Sequence, residues 1–206
     1  KGFTLPVTSR RAAFIHSEQI ERYHYPDECP FKTERAAMTK QTLVKRGLYL
    51  GENRFESAPA PATDDELRLF HSSAYIDMLK RISQSDLKTQ DLFMGIGTDE
   101  TPVFPDLYNY AVTAAGATLH GARLLIDSEA EIAFNPSGGY HHAYPEKAGG
   151  FCYINDVVLA CKTFRNTGKR VACLDIDAHH GDGTQHAFYS TPDVFTISLH
   201  ESGETL

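Results

Sequence analysis

Apolar positions recur at helical intervals through much of the first two thirds of the chain and gather into short continuous runs in the last third. The run Arg11 to His16 (RAAFIH) predicts a first strand, and Tyr23 to Phe31, rich in Tyr, His and Pro, predicts a loop. Glu34 to Arg46 consists mostly of helix formers and is stopped by Gly47, the residue type expected just past a helix end. The stretch ESAPAPAT, residues 56–63, reads as a connector, and Thr63 to Glu66 carries the capping-box pattern that opens a helix. A further helix is predicted over Ser73 to Ile82, where Tyr75, Ile76, Leu79 and Ile82 share a face. Gly and Pro punctuate Leu92 to Pro105 as an exposed loop. Asp106 to Ile126 then predicts a long helix, with Gly116 and Gly121 as points of close packing.

The last third reads strand, helix, strand, short helix, strand: Glu131 to Asn135, Ile154 to Phe164 ended by Gly168, Arg170 to Ile176, and Val194 to Leu199. That alternation is the α/β pattern, a mostly parallel sheet covered by helices, in which ligands bind outside the carboxyl ends of the strands. Chemistry is therefore expected just after Asn135, Ile176 and Leu199.

Composition narrows the class. A length of 206 residues fits one domain, and 41% hydrophobic with 23% charged residues supports a real core, which excludes disorder and minimal disulfide scaffolds. Twenty Lys and Arg against 27 Asp and Glu give a net charge of -7, which argues against direct nucleic-acid binding through the phosphate backbone and makes a cationic partner easier. The four cysteines form no CxxC pair, and Cys152, Cys161 and Cys173 lie in apolar runs where thiols pack as small hydrophobes. With no secretory leader pattern and no membrane-length apolar run, the expectation is a soluble protein of a reducing, cytoplasmic compartment, with a nuclear location and oligomerisation left open. The absence of an initiator Met before Lys1 and an ending in mid-loop at Leu206 suggest a fragment or processed piece.

Two constellations carry chemistry. After the strand RVACLDI, five ionisable side chains fall in eight positions: Asp175, Asp177, His179, His180 and Asp182. In extended chain Asp175, Asp177 and His179 would share a face, and a carboxylate with an imidazole suits zinc. The plainer reading is a polar, helix-capping loop, against which stands the cost of carboxylates beside a buried strand. After the earlier strand, the Gly-rich loop through Tyr140 places His141 and His142 side by side. An imidazole titrating near neutrality is the natural general base or acid when a carboxylate fixes its tautomer, and Asp175 and Asp182 are available for that task. A packed or surface loop feature is the alternative for an isolated His-His pair.

The motifs GGYHHA (residues 138–143), GGFCYINDV (149–157) and DIDAHHGDG (175–183) resemble the histone deacetylase family with its acetoin-utilisation and acetylpolyamine relatives. GIGTDETPVF (95–104), PFKTERAAMT (30–39) and FHSSAYIDML (70–79) extend the resemblance over nearly the whole chain. It implies the arginase/deacetylase three-layer α/β sandwich, incomplete at its C-terminal end, over a single catalytic domain spanning 1–206. The implied activity is zinc-dependent removal of acetyl groups from acetyl-lysine or a small acetylated amine, with iron(II) as an alternative ion.

By the same resemblance Asp177 and His179 are metal ligands, and His141 and His142 flank the attacking water, with Asp175 oriented on His141 and Asp182 on His142. His142 would act as the base, while His141 stabilises charge. Gly150 and Phe151 would line the acyl-lysine tunnel, Asp99 would hold the substrate backbone at the rim, and Arg35 would lie in an internal cavity beneath the site. A monovalent cation, K+ or Na+, would sit at Asp175, Asp177, His179, Ser198 and Leu199, with Phe188, Thr191 and Val194 forming part of a second such site. In the family a third metal-ligating Asp and an oxyanion-stabilising Tyr come later than the position of Leu206, so the 206-residue piece alone is expected to be inactive. Two other readings are an arginase-like hydrolase and a catalytically incomplete binding module. The first is opposed by Gly181, where a dinuclear centre needs an Asp; the second is opposed by the retention of four costly polar groups.

Overall fold

A computed structural model describes residues 10–203. Strand β1 (Ala12–Ile15) lies between β2 (Arg54–Ser57) and β3 (Ile132–Phe134), both parallel to it, with Ala13 facing Phe55 on one side and Ala133 on the other. A second parallel pair, β4 (Val171–Asp175) and β5 (Val194–Ser198), aligns Asp175 with Ser198. Among the described residues no ladder hydrogen bonds join β3 to β4.

Helices α1 (Arg35–Lys45), α2 (Asp64–Leu67), α3 (Ser73–Ile82), α4 (Leu107–Ile126), α5 (Asp156–Asn166) and α6 (Asp182–Phe188) surround these strands. The 3-4 spacing of α3 buries Tyr75, Ile76, Leu79 and Ile82 against Leu107, Ala111, Ala114, Ala115 and Leu119 of α4. Each large aliphatic side chain so buried contributes about 1.5–3 kcal/mol before chain entropy is counted. Gly116 lets α4 meet the connector: a Cβ there would stand 2.1 Å from the Ala60 carbonyl oxygen. At Gly121 it would reach 3.1 Å from the Ala133 Cβ, so the small residue sets how closely the helix lies on β3.

The capping box forms, with the Glu66 N–H donating to Thr63 Oγ1 and Glu66 Oε2 accepting from the Thr63 N–H at 2.7 Å. Two loop expectations need correction. Arg54 to Ser57 is a strand, so the connector begins later than Glu56; its single large apolar residue, Phe55, gave no alternation to read, and pairing with β1 supplies the structure. Thr89 to Met94 forms a 3-10 helix that takes the first residues of the Leu92–Pro105 loop. Helix α5 starts at Asp156 and not at Ile154, because the Asn155 side chain caps it by accepting from the Val158 N–H at 3.0 Å.

One face of the β4–β5 pair packs on Val158, Cys161 and Phe188. The opposite face exposes Leu174, Ile176, Phe195, Ile197 and Leu199.

Candidate active site

The loop after β3 is held by the start of α5. Asp156, wholly buried, accepts from the backbone N–H of Gly139 at 3.0 Å and of Tyr140 at 2.8 Å, and from the Thr118 hydroxyl. Asn155 Nδ2 donates to the carbonyl oxygens of His141 and Ala143, each at 3.1 Å. These clamps fix the backbone from which His141 and His142 project, with ring centroids 4.1 Å apart.

Each imidazole meets one carboxylate: His141 Nδ1 lies 2.6 Å from Asp175 Oδ2, and His142 Nδ1 lies 2.7 Å from Asp182 Oδ1. An ionised carboxylate only accepts, so Nδ1 carries the proton in both rings and Nε2 is left for whatever occupies the cavity. Burial opposes the charge on Asp182, but His142, the Gly183 N–H and the Tyr144 hydroxyl hold its carboxyl below the usual range.

Strand β4 ends at Asp175, so the alternation read from the sequence does not continue to Asp177 and His179. Side-chain-to-backbone turns replace it: the Asp177 N–H donates to Asp175 Oδ1 at 3.0 Å, and the His179 N–H donates to Asp177 Oδ1 at 2.8 Å. The outcome brings His179 Nδ1 to 3.1 Å from Asp177 Oδ1. Burial opposes ionisation of Asp177, yet its bonds from His179 and the neighbouring His141 hold it below the ordinary carboxylate range.

Zinc suits this donor pair. A carboxylate oxygen and an imidazole nitrogen are both donor types that zinc accepts. Among the described residues no cluster of three or more His, Cys, Asp or Glu side chains is placed to hold a metal.

His141, His142, Asp177, His179 and Asp182 line a cavity of about 530 Å³ together with Gly150 and Phe151. The Phe151 ring stacks on Phe31, centroids 5.8 Å apart at 23°. Gly150 has φ +50°, and a Cβ there would stand 2.3 Å from His142 Cδ2, so only glycine leaves that imidazole where it is. Arg35 lines the same cavity, stacks 4.6 Å from the Phe31 centroid and donates to the Gly138 carbonyl at 3.1 Å.

Asp175 faces a second cavity, about 420 Å³, behind His141. The β4–β5 pairing sets Ser198 beside Asp175, with the Leu199 N–H donating to the Asp175 carbonyl at 2.9 Å; neither Ser198 nor Leu199 lines that cavity. Phe188, Thr191 and Val194 lie along the α6-to-β5 turn, where the Thr191 N–H donates to the Phe188 carbonyl. Asp99 is exposed and does not line the larger cavity; its neighbour Glu100 does.

Sequence reasoning missed three contributors. Asn155 and Asp156 carried the mark of a helix start, a polar pair just before an apolar-periodic run, but their hold on the histidine loop is a long-range contact. Tyr144, whose hydroxyl donates to Asp182 Oδ2 at 3.2 Å, had no signal beyond adjacency to the motif.

Residues 29–206 match the histone deacetylase domain, a span that contains every candidate site residue named above. The chain belongs to the histone deacetylase family. It is 37% identical over 202 residues to Histone deacetylase RPD3 of Saccharomyces cerevisiae, covering 97% of this chain and 46% of that protein. Identity to Histone deacetylase HDAC1 of Drosophila melanogaster is also 37%, over 96% of this chain and 38% of the relative. The chain thus spans about half the length of these histone deacetylases or less. Among solved structures it is similar to a histone deacetylase homologue from Aquifex aeolicus, with TM-score 0.85 and 34% identity over 95% of this chain and 52% of that one. A histone deacetylase homologue complexed with SAHA is equally similar, at TM-score 0.85 and 35% identity. The parallel strands and surrounding helices are therefore those of the deacetylase-like α/β fold. Among the described residues no helix is long and apolar enough to cross a membrane.

Proposed function

We propose that these residues form the first part of the catalytic domain of a metal-dependent deacetylase acting on acetyl-lysine or a related acetylated amine. The pairing of two adjacent imidazoles with two separate carboxylates, His141 with Asp175 and His142 with Asp182, carries the reading. A packed structural histidine needs one partner; two rings 4.1 Å apart, each braced from behind and both lining one cavity, are arranged for proton transfer.

Asp177 and His179 would hold zinc, or iron(II), together with a donor from residues that follow 206. A metal held there would supply Lewis-acid chemistry, polarising the amide carbonyl and making a water a better nucleophile near neutral pH. His142 Nε2 takes a proton from the attacking water and returns it to the leaving amine, while Asp182 keeps the other ring nitrogen protonated. His141, braced by Asp175, stabilises the charge that develops beside it. Phe31 and Phe151 admit a narrow aliphatic stem and exclude water around it, and Gly150 leaves room for the His142 ring. Asp99 would reach the substrate backbone at the rim, and Arg35 would serve the inner cavity. Asp175, Asp177, His179, Ser198 and Leu199 would bind K+ or Na+ at the ends of β4 and β5, with Phe188, Thr191 and Val194 contributing to a second ion. A cytoplasmic, reducing setting agrees with four free cysteines.

The test is release of acetate from an acetyl-lysine peptide by the intact protein. Turnover should vanish with a chelator and return with zinc. A metal-free protein turning over at the same rate would refute the proposal.

A further inference from the structure

Tyr144 holds the oxygen of Asp182 that His142 leaves free. Its hydroxyl donates to Asp182 Oδ2 at 3.2 Å, while His142 Nδ1 lies 2.7 Å from Oδ1 of the same group and the Gly183 N–H donates to that Oδ1 at 2.9 Å. A carboxylate anchored through one oxygen alone can still turn about its terminal torsion, whose wells are broad, and a donor on the second oxygen removes that freedom. The need is greater here than at the neighbouring pair: the Asp182 side chain is 41% exposed, against 16% for Asp175. Asp175 has its second oxygen held by backbone, the Asp177 N–H at 3.0 Å, whereas at Asp182 the task falls to a side chain.

The phenol is itself well fixed. The Tyr144 N–H donates to the Lys147 carbonyl at 2.8 Å, the carbonyl of the next residue, Pro145, accepts from the Ser72 N–H at 3.2 Å, and the Tyr144 ring lies against that of His186 on α6 with centroids 5.0 Å apart. Burial, and then the nearby Asp182 charge, push the phenol above its ordinary value, so the hydroxyl keeps its proton and stays a donor. Tyr144 also lines the cavity that His141 and His142 share.

We propose that Tyr144 is a positioning residue for the general base: by holding the second oxygen of Asp182, it aligns the His142 ring for proton transfer. It acts through Asp182 and not on the reacting atoms. Its hydroxyl also draws negative charge away from Oδ1, so losing it changes the field at the His142 Nδ1 proton as well as the orientation of the ring. The kinetic consequence rests on the deacetylase reading; the chain of hydrogen bonds from Tyr144 through Asp182 to His142 does not.

The experiment uses Tyr144→Phe in the intact protein, a change that removes one oxygen and keeps the ring against His186. Proton NMR follows the two downfield Nδ1–H resonances of His141 and His142, the second assigned by its loss in His142→Ala. Tyr144→Phe should shift the His142 resonance and speed its exchange with solvent, while the His141 resonance stays in place. With an acetyl-lysine peptide the variant should lose about tenfold in kcat with KM near wild type, as a misaligned base does. An unmoved His142 resonance, or a raised KM at unchanged kcat, would overturn the proposal. So would movement of both resonances, which would make Tyr144 a support of the whole loop. A wild-type protein that releases no acetate would refute the deacetylase reading, and the resonances would still decide the link from Tyr144 to His142.

Discussion

Asn155 Nδ2 lies 3.1 Å from the carbonyl oxygen of His141, so the cap of α5 is also the support of the histidine loop. Asn155→Ala removes the donor to two carbonyls and the cap acceptor together. The cap is worth about 1 kcal/mol and a buried carbonyl left unpaired about 1–3, so a loss of roughly 2–4 kcal/mol is expected. Urea denaturation of the variant measures it; a loss under about 0.5 kcal/mol, ordinary for a surface change, would show that the loop is held by other means.

Gly150 and Gly149 form a matched pair for testing the His142 position. Gly150→Ala drives a Cβ into the imidazole and places alanine at positive φ, whereas Gly149→Ala meets nothing within 4 Å. The first should lose at least about tenfold in kcat, as a displaced general base does, and the second should stay near wild type. Equal kcat in the two variants would sever the proposed link between this glycine and the base.

His71 gives the stability curve an acid limb. Its Nε2 accepts from the buried Asn155 N–H at 3.1 Å, and burial pushes its pKa down to about 4 from the ordinary 6.5, with the Pro145 and Tyr144 carbonyls pulling the other way. Between those values the unfolded chain binds a proton that the folded chain refuses, so stability is complete above about pH 6.5 and falls as pH drops toward 4. At 1.36 kcal/mol per unit the loss is on the order of 3 kcal/mol. Chemical denaturation across pH 4–7 should show this slope, and His71→Gln should flatten it; an unchanged slope in the variant would place the titration elsewhere.

The apolar outer face of β4–β5 should make the 206-residue chain self-associate. Leu174, Ile176 and Phe195 are 61%, 76% and 64% exposed on one side of a two-stranded sheet, a patch rarely left open in a monomer. Sedimentation velocity should show mass rising with concentration, and Leu174→Lys with Phe195→Lys should weaken association at least about tenfold. A monomer at every concentration would mean that the patch is sheltered in solution.

Much of the architecture was legible because local chemistry and tertiary role coincide. The Thr63 capping box, the 3-4 stripe of α3 and the packing glycines of α4 each state locally what the fold then uses. Strand β2 was illegible, since Arg-Phe-Glu-Ser offers one large apolar residue and becomes a strand through its neighbour. At the site, residue types and spacing pointed to His141, His142, Asp175 and Asp182, the family resemblance implied which carboxylate goes with which ring, and the fold places His141 beside Asp175 and His142 beside Asp182. The turn that sends Glu100 toward the cavity and leaves Asp99 outside is set by the Thr98–Thr101 side-chain hydrogen bond, which spacing does not encode.

The most direct measurement is zinc stoichiometry and acetyl-lysine turnover determined together on the intact protein, its His142→Ala variant and its Asp177→Ala variant. His142→Ala should keep its zinc and lose about 10²–10⁴ in kcat, because this residue moves a proton and holds no metal. Asp177→Ala should lose zinc and turnover together. A His142→Ala protein that loses its zinc, or an Asp177→Ala protein that stays metallated and active, would contradict the assignment of base and ligand.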